Sequence, residues 1–219
     1  MIQASRVVKT YKLGAVSIQA LRGVDLKVDK GEMIAITGVS GSGKSTLLNL
    51  VGGMDRPDSG SIEVDGDDIA HYSNARLTAF RATKIGFIFQ NFNLISVLNV
   101  YDNIVVPMKL KAQHFEKAKV LDLMERVGLA HLAKHRPDEL SGGQRQRVAI
   151  ARSLVHNPPY ILADEITANL DTSTATSIID LLKELNKDFG VTIVFASHDQ
   201  RILQSIERKV ALEDGVLVS

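Results

Sequence analysis

The stretch Met33-Ile-Ala-Ile-Thr-Gly38-Val-Ser-Gly-Ser-Gly-Lys44-Ser45 decides the fold. Its first five residues follow an Asp29-Lys-Gly-Glu32 turn and form a short apolar run, which predicts a buried strand over 33–37. The next eight satisfy G-x-x-x-x-G-K-[ST], and a helical pattern begins near Ser45. Glycines let the backbone wrap around an anion with successive N–H groups pointing inward, and the following helix presents its positive end to the same place. The expectation is a phosphate-binding loop spanning Gly38, Ser40, Gly41, Ser42 and Gly43 and running into Thr46. Lys44 would bridge the β- and γ-phosphates of a nucleotide, and the Ser45 hydroxyl would ligate Mg²⁺.

Outward from this loop the chain alternates strands and helices. Strand-like runs cover residues 2–8 and 18–28 on the N-terminal side, the second alternating through Val24, Leu26 and Val28. Further strands are expected at 61–64 and 85–89, with a helix across 74–82. From about 92 to 146 the period changes, with helices at 100–110 and 115–127 and no convincing strand between them. Buried strands follow at 160–164 and 191–196, separated by a helix over 172–187, and short strands flank a Glu213-Asp-Gly turn. Strands alternating with helices imply an α/β fold with a mainly parallel sheet covered on both faces. No further domain is expected beyond the last strands.

Tyr160-Ile-Leu-Ala-Asp164-Glu165 is an apolar strand ending in two acids. An acid at the C-terminal tip of a parallel strand lies where such sheets bind ligands. Asp164 would reach Mg²⁺ through water, and Glu165 would orient or deprotonate an attacking water.

Composition narrows the classes around this core. At 219 residues the chain corresponds to about one and a half average domains, so one domain with a sub-lobe is expected. The balance of 26 Lys+Arg against 25 Asp+Glu offers no general attraction for nucleic acid. The lack of cysteine removes disulfides, thiolate catalysis and the usual zinc frameworks together. No stretch approaches the roughly 18 apolar residues of a membrane span. The start lacks the charged region and apolar run of a signal peptide, so a soluble, cytosolic chain is expected.

Leu140-Ser-Gly-Gly-Gln144 adds a third motif. Ser141 is a good helix N-cap, and two glycines leave N–H groups open at the start of a basic helix, which makes an anion site. An ordinary capped helix accounts for Ser141 but not for two glycines after it. With the phosphate loop and the Asp164-Glu165 strand end, this set resembles the nucleotide-binding subunit of an ABC transporter over essentially the whole chain. That resemblance implies a P-loop NTPase fold with a mainly parallel core sheet, an N-terminal antiparallel β subdomain and an inserted α-helical subdomain. The core and β subdomain would take residues 1–91 and 147–219, and the helical subdomain about 92–146.

It further implies a head-to-tail homodimer that sandwiches ATP and Mg²⁺, with Ser141, Gly142, Gly143 and Gln144 closing over the γ-phosphate held by the opposite subunit. Gln90 matches a glutamine that senses Mg²⁺ and the attacking water. Tyr11 matches an aromatic that stacks on adenine, Asp171 ends the loop coupling the two sites, and His198 matches a histidine that contacts the γ-phosphate. Two departures stand out. Ile166 occupies the place where the family usually has proline, which would fix φ after Glu165, and the coupling loop reads Ala168-Asn-Leu-Asp171.

The segments Phe89-Gln-Asn-Phe-Asn-Leu-Ile95, Val100-Tyr-Asp-Asn-Ile104 with Pro107, and Ser197-His-Asp-Gln-Arg201 resemble the lipoprotein-release, macrolide-export and antimicrobial-peptide-resistance group. A cell-division ATPase that partners a related permease is also similar. The resemblance implies an ATPase on the cytoplasmic face of the cell membrane that drives a separate permease and binds no nucleic acid. The apolar residues after Gln90 (Phe92, Leu94, Ile95, Val97, Leu98) are many for a loop; either they fill the helical lobe's own core, or Phe92, Leu94 and their neighbours line a groove for a permease helix. Rival readings are a soluble ABC-type ATPase of DNA repair or translation, and a small kinase or GTPase. The first usually carries tandem domains, coiled-coil inserts or basic surfaces, and the second does not require 140–144. No Asn-Lys-x-Asp guanine-reading motif is present.

Overall fold

The computed structural model describes residues 1–14, 16–111 and 115–218. Two sheets share the chain. The first is antiparallel, built from β1 (Ile2–Leu13), β2 (Val16–Val28), β4 (Ser59–Val64) and the two-residue β5 (Asp67–Asp68), in the order β2-β1-β4-β5. The second holds β3 (Met33–Thr37), β6 (Ile85–Ile88), β7 (Tyr160–Asp164), β8 (Thr192–Ser197), β9 (Arg208–Glu213) and β10 (Val216–Val218), in the order β10-β9-β3-β8-β7-β6. Every pair in it is parallel except the terminal β9–β10 hairpin.

The expected alternation holds in β2, where Val24, Leu26 and Val28 are buried in turn. β1 and β2 extend further than their apolar runs, to Leu13 and back to Val16. The extension is largely exposed because it pairs with its hairpin partner beyond the core, Tyr11 opposite Ile18 and Lys12 opposite Ser17. Backbone pairing continues there without any face to bury, a situation hydropathy does not register.

Helix α1 (Lys44–Val51) is buried between the two sheets. It packs on β7 and β8 on one side and on β1, β2 and β4 on the other, and so buries Leu47, Leu48, Leu50 and Val51 around its circumference. The opposite face of the parallel sheet is covered by α5 (Gly142–Leu154) and α6 (Thr172–Phe189), whose Val148, Ile150, Ile178 and Leu182 pack with Ile161, Ile193 and Phe195. Helix α2 (Asn74–Lys84) precedes β6, and α3 (Val100–Leu110) and α4 (Lys117–Arg126) follow it; among the described residues no strand lies between β6 and α5. The second of these starts at Lys117, two residues later than the periodicity predicts. A four-residue helix α7 (Gln200–Leu203) follows β8.

Register places the chemistry. Thr37 at the tip of β3 lies opposite Ser197 of β8, and Ala196 lies opposite Asp164 of β7. The residues just past these tips are Gly38, His198 and Glu165, so three loops from separate parts of the chain open side by side at the carboxyl edge of the sheet. Parallel sheets bind ligands at this edge.

Candidate active site

The phosphate loop is wound tightly against its surroundings. Gly38 has φ 149°, and a Cβ there would overlap the Leu212 carbonyl oxygen and the Ser42 hydroxyl. No L-residue with a side chain fits that position. Gly43 caps α1 without a side-chain bond, and the first helical turn carries no acid, so its free N–H groups face the loop unopposed. Gly41 is exposed at the tip, and Val39 and Ser40 share a cavity of about 720 Å³ with Thr37, Gly38 and His198. The Ser42 hydroxyl is buried without a protein partner.

Lys44 is only 5% exposed, and its Nζ donates to the carbonyls of Gly38 at 2.8 Å and Val39 at 2.9 Å. The same ammonium lies 3.4 Å from Glu165 Oε1. The lysine is thus folded into its own loop, within reach of the second carboxylate.

Glu165 stands at φ 48°, an unusual left-handed conformation for a residue with a side chain. Its N–H donates to Ala196 O at 3.1 Å, and its carbonyl accepts from the Ala168 N–H at 3.1 Å. Ile166 is 2% exposed in the core beneath. The turn is therefore fixed by hydrogen bonds and by burial of Ile166, where the family's usual proline would fix it covalently. Glu165 Oε2 lies 2.9 Å from His198 Nδ1. A carboxylate only accepts, so Nδ1 carries the proton of this bond. His198 is otherwise exposed and lines both the phosphate-loop cavity and a second cavity of about 300 Å³ with Glu165, Thr167 and Leu170.

Asp164 is half-buried, and its Oδ1 is buried with no hydrogen-bond partner, while the Ser45 hydroxyl lies near enough to favour the charged carboxylate. Burial pushes its pKa up and the Glu165 charge adds to this; the Ser45 hydroxyl and the Lys44 ammonium pull it down without cancelling the rise. An orphaned carboxylate oxygen beside a serine hydroxyl suits a hard cation. Among the described residues no three His, Cys, Asp or Glu cluster into a metal cage. Mg²⁺ needs none, because it takes one or two protein ligands and fills its shell with water and substrate phosphates.

Tyr11 and Thr46 meet beside the first turn of α1. The Tyr11 ring is 36% exposed, its hydroxyl donates to Asp55 Oδ2 at 2.9 Å, and the Thr46 side chain lies close to that hydroxyl. Lys9 Nζ lies 5.2 Å from the ring centroid and donates to Asp55 Oδ1 at 3.0 Å. Desolvation would raise the Asp55 carboxyl, but the bonds from Lys9, the Arg56 N–H and Tyr11 outweigh it and hold it low. Lys9 and Asp55 escape a sequence reading because no motif surrounds them; only pairing of β1 with the loop after α1 brings them to Tyr11.

Gln90 is exposed just past β6, one strand beyond Asp164 and Glu165. Its carbonyl accepts from Asn169 Nδ2 at 3.3 Å. Phe92 and Leu94 do not line the nearby groove. Leu94 packs on the core, and the groove of about 430 Å³ is lined instead by Phe87, Phe89 and Leu110, with Arg81, Lys111 and Arg152. The loop after Gln90 turns through two left-handed residues, which redirects Phe92 and Leu94.

Ser141 caps α5 as expected. Its hydroxyl accepts from the Gln144 N–H at 3.3 Å, and Gln144 Oε1 accepts from the Ser141 N–H at 2.8 Å. The two glycines have a packing reason inside the chain as well. A Cβ on Gly143 would stand 2.5 Å from Thr174 Cγ2, and one on Gly142 3.2 Å from Leu170 Cδ2. Asp171 caps α6, accepting from the Thr174 N–H at 3.0 Å and from the Ser173 and Thr174 hydroxyls at 2.6 Å each. These bonds hold its carboxyl well below the usual range. Gly142 and Gly143 thus lie against the coupling loop, while the contacts of Lys44, Asp164, Glu165 and His198 form a separate cluster.

A family model described as ABC transporter matches residues 21–168. The chain is 42% identical over 219 residues to the macrolide export ATP-binding/permease protein MacB of Bdellovibrio bacteriovorus, an alignment covering 100% of this chain and 34% of that protein. It is likewise 42% identical over 219 residues to the lipoprotein-releasing system ATP-binding protein LolD of Shewanella frigidimarina, with 99% and 92% covered. It therefore spans about a third of the MacB relative and nearly all of the LolD relative. The dimeric structure of the ATP-binding cassette MJ0796 of Methanocaldococcus jannaschii, bound to ADP and Pi after hydrolysis, matches with a TM-score of 0.91 at 41% identity, covering 100% of this chain and 97% of that one. The chain belongs to the ABC transporter family, and its fold is that of the family's ATP-binding cassette.

Proposed function

We propose that two copies of this chain bind and hydrolyse MgATP at two shared sites, and that closing and opening of the pair drives a membrane permease. The observation that carries this reading is the placement of Glu165 between His198 and Lys44, beside an Asp164 oxygen with no protein partner. On ATP binding Lys44 exchanges its two loop carbonyls for β- and γ-phosphate oxygens, and the N–H groups of the loop and of α1 take the rest of the charge. Ser45, and Asp164 through water, with Gln90 nearby, would hold Mg²⁺, which would supply charge to neutralise the β- and γ-oxygens. Glu165 polarises the water attacking in line, and His198, oriented by Glu165, contacts the γ-phosphate. Tyr11 stacks on adenine. The Ser141–Gln144 segment of the partner copy closes the site through its helix N-terminus, and Asp171 fixes the loop between the two.

Residues 92–146 act in this reading as a helical lobe that moves against the core. The groove lined by Phe87, Phe89 and Leu110 accepts a cytoplasmic helix of the permease. The LolD relative supports a stand-alone subunit, and the MacB relative, named as both ATP-binding and permease protein, supports a permease of the export or lipoprotein-release kind. Among the described residues no helix is long and apolar enough to cross a membrane. The chain then works at the cytoplasmic face through its permease.

Phosphate release by the purified chain with MgATP tests the chemistry. Glu165→Gln lowers turnover by about 10²–10⁴-fold, the span of a lost general base, and an ATP-bound dimer accumulates in size-exclusion chromatography. A Glu165→Gln chain that turns over at the wild-type rate overturns the assigned role; one that stays monomeric with ATP overturns the dimer.

A further inference from the structure

The loop that carries Gln90 is held by an unusual set of bonds. Five successive carbonyls, from Phe89 to Asn93, each accept a hydrogen bond. Phe89 O accepts from the Phe92 N–H at 3.1 Å, and Asn91 O from the Asn93 N–H. Gln90 O accepts from Asn169. The last two belong to one side chain: Arg152 donates through Nη2 to Phe92 O at 2.7 Å and through Nη1 to Asn93 O at 2.6 Å.

Phe92 and Asn93 are both left-handed, at φ 58° and 48°. Asparagine tolerates that region, but a bulky residue such as Phe92 does not adopt it unless something holds it there. The Arg152 fork matches two adjacent carbonyls, and its planar geometry leaves little freedom to lose. Its charge is compensated by carbonyls, with no carboxylate paired to it among the described residues, and burial lowers its pKa. Arg152 lies near the C-terminal end of α5, the helix whose first turn is Ser141–Gln144.

We infer that Arg152 is a positioning residue for hydrolysis: it clamps the left-handed turn after Gln90 and so couples the position of α5 to that of Gln90. The inference rests on the proposed reading of Gln90 and of the α5 N-terminus. Movement of α5 when a partner copy engages its first turn would be carried by a rigid helix to the guanidinium, and through two short bonds to a backbone two residues from Gln90.

The test is steady-state ATP hydrolysis by the full-length purified chain, with kcat and KM for MgATP measured separately. Arg152→Met keeps the aliphatic stem and removes both donors. Expected is a fall in kcat of about tenfold with KM unchanged within about twofold. Arg152→Lys, with one donor centre for two carbonyls, falls in between. Adding Phe92→Gly to Arg152→Met restores part of the lost kcat, because glycine takes the left-handed conformation without a clamp; a merely structural loss would not be rescued this way. If Arg152→Met fails to fold, Arg152→Lys with and without Phe92→Gly decides by the same rescue. An active wild type whose Arg152 variants keep the wild-type kcat overturns the clamp alone. A wild type without ATPase activity overturns the functional reading and the clamp with it.

Discussion

Glu165 and His198 share a hydrogen bond of 2.9 Å across neighbouring strands, with the proton on His198 Nδ1. His198 also lines the cavity that the phosphate loop lines. In the proposed function the pair divides the work, one group on the water and one on the phosphate. His198→Ala removes the phosphate contact and frees Glu165 from its partner, so kcat falls by at least about tenfold. His198→Gln, which keeps a donor, loses less. Equal turnover in both variants and wild type contradicts the division.

Asp164 offers a trade of stability against activity. Its pKa is raised in the fold, so the folded chain binds that proton more tightly than the unfolded chain does. Stability therefore falls as pH rises from the ordinary carboxylate range through the raised value. Asp164→Asn removes the buried charge and raises Tm at pH 8, with the gain shrinking as pH falls into the carboxylate range, while Mg²⁺-dependent hydrolysis is lost. Thermal melts at a series of pH values check the sign; a lower Tm at pH 8 refutes it.

Tyr11 is held by Asp55, with Lys9 near its ring. A base stacked on an aromatic side chain is worth about 1–3 kcal/mol, so Tyr11→Ala raises KM for ATP on the order of tenfold. Tyr11→Phe keeps the ring and loses the Asp55 bond, and its KM rises less. Nucleotide titrations of both variants separate stacking from anchoring.

Gly143 and Thr174 make a paired test of the packing at the Ser141–Gln144 segment. Gly143→Ala drives a Cβ into Thr174 Cγ2, and Thr174 is pinned by its bonds to Asp171. Overpacking of this kind costs about 1–3 kcal/mol. Thr174→Ser removes the methyl and keeps the hydroxyl bond, so Gly143→Ala costs less in that background. Denaturant melts of the four chains close the cycle, and additive losses show that the two residues do not touch.

The groove is tested by Leu110, which is 83% exposed on its rim. Leu110→Asp abolishes co-purification of the permease from native membranes without lowering Tm. Val97→Asp, at an exposed residue outside the groove, leaves the permease bound. The reverse pattern moves the docking site to the loop after Gln90.

Much of this protein was legible in its residues. The β3 strand, the β7 strand and α3 have the limits their hydropathy predicts, because each buries a contiguous or periodic apolar set. The phosphate loop and the capped start of α5 are local: glycine, lysine and serine at fixed spacing specify them through bonds between near neighbours. What residues 33–45, 140–144 and 160–165 could not specify was who meets whom. That Glu165 bonds His198, that Ile166 replaces a proline by burial, and that Gly143 is glycine because of Thr174 all depend on strand register and helix packing between distant segments. The bonds from Lys9 to Asp55 and from Arg152 to the turn after Gln90 span 46 and about 60 positions of sequence and carry no motif. Short-range chemistry is written in spacing; long-range contacts exist only once the sheets and helices have closed on one another.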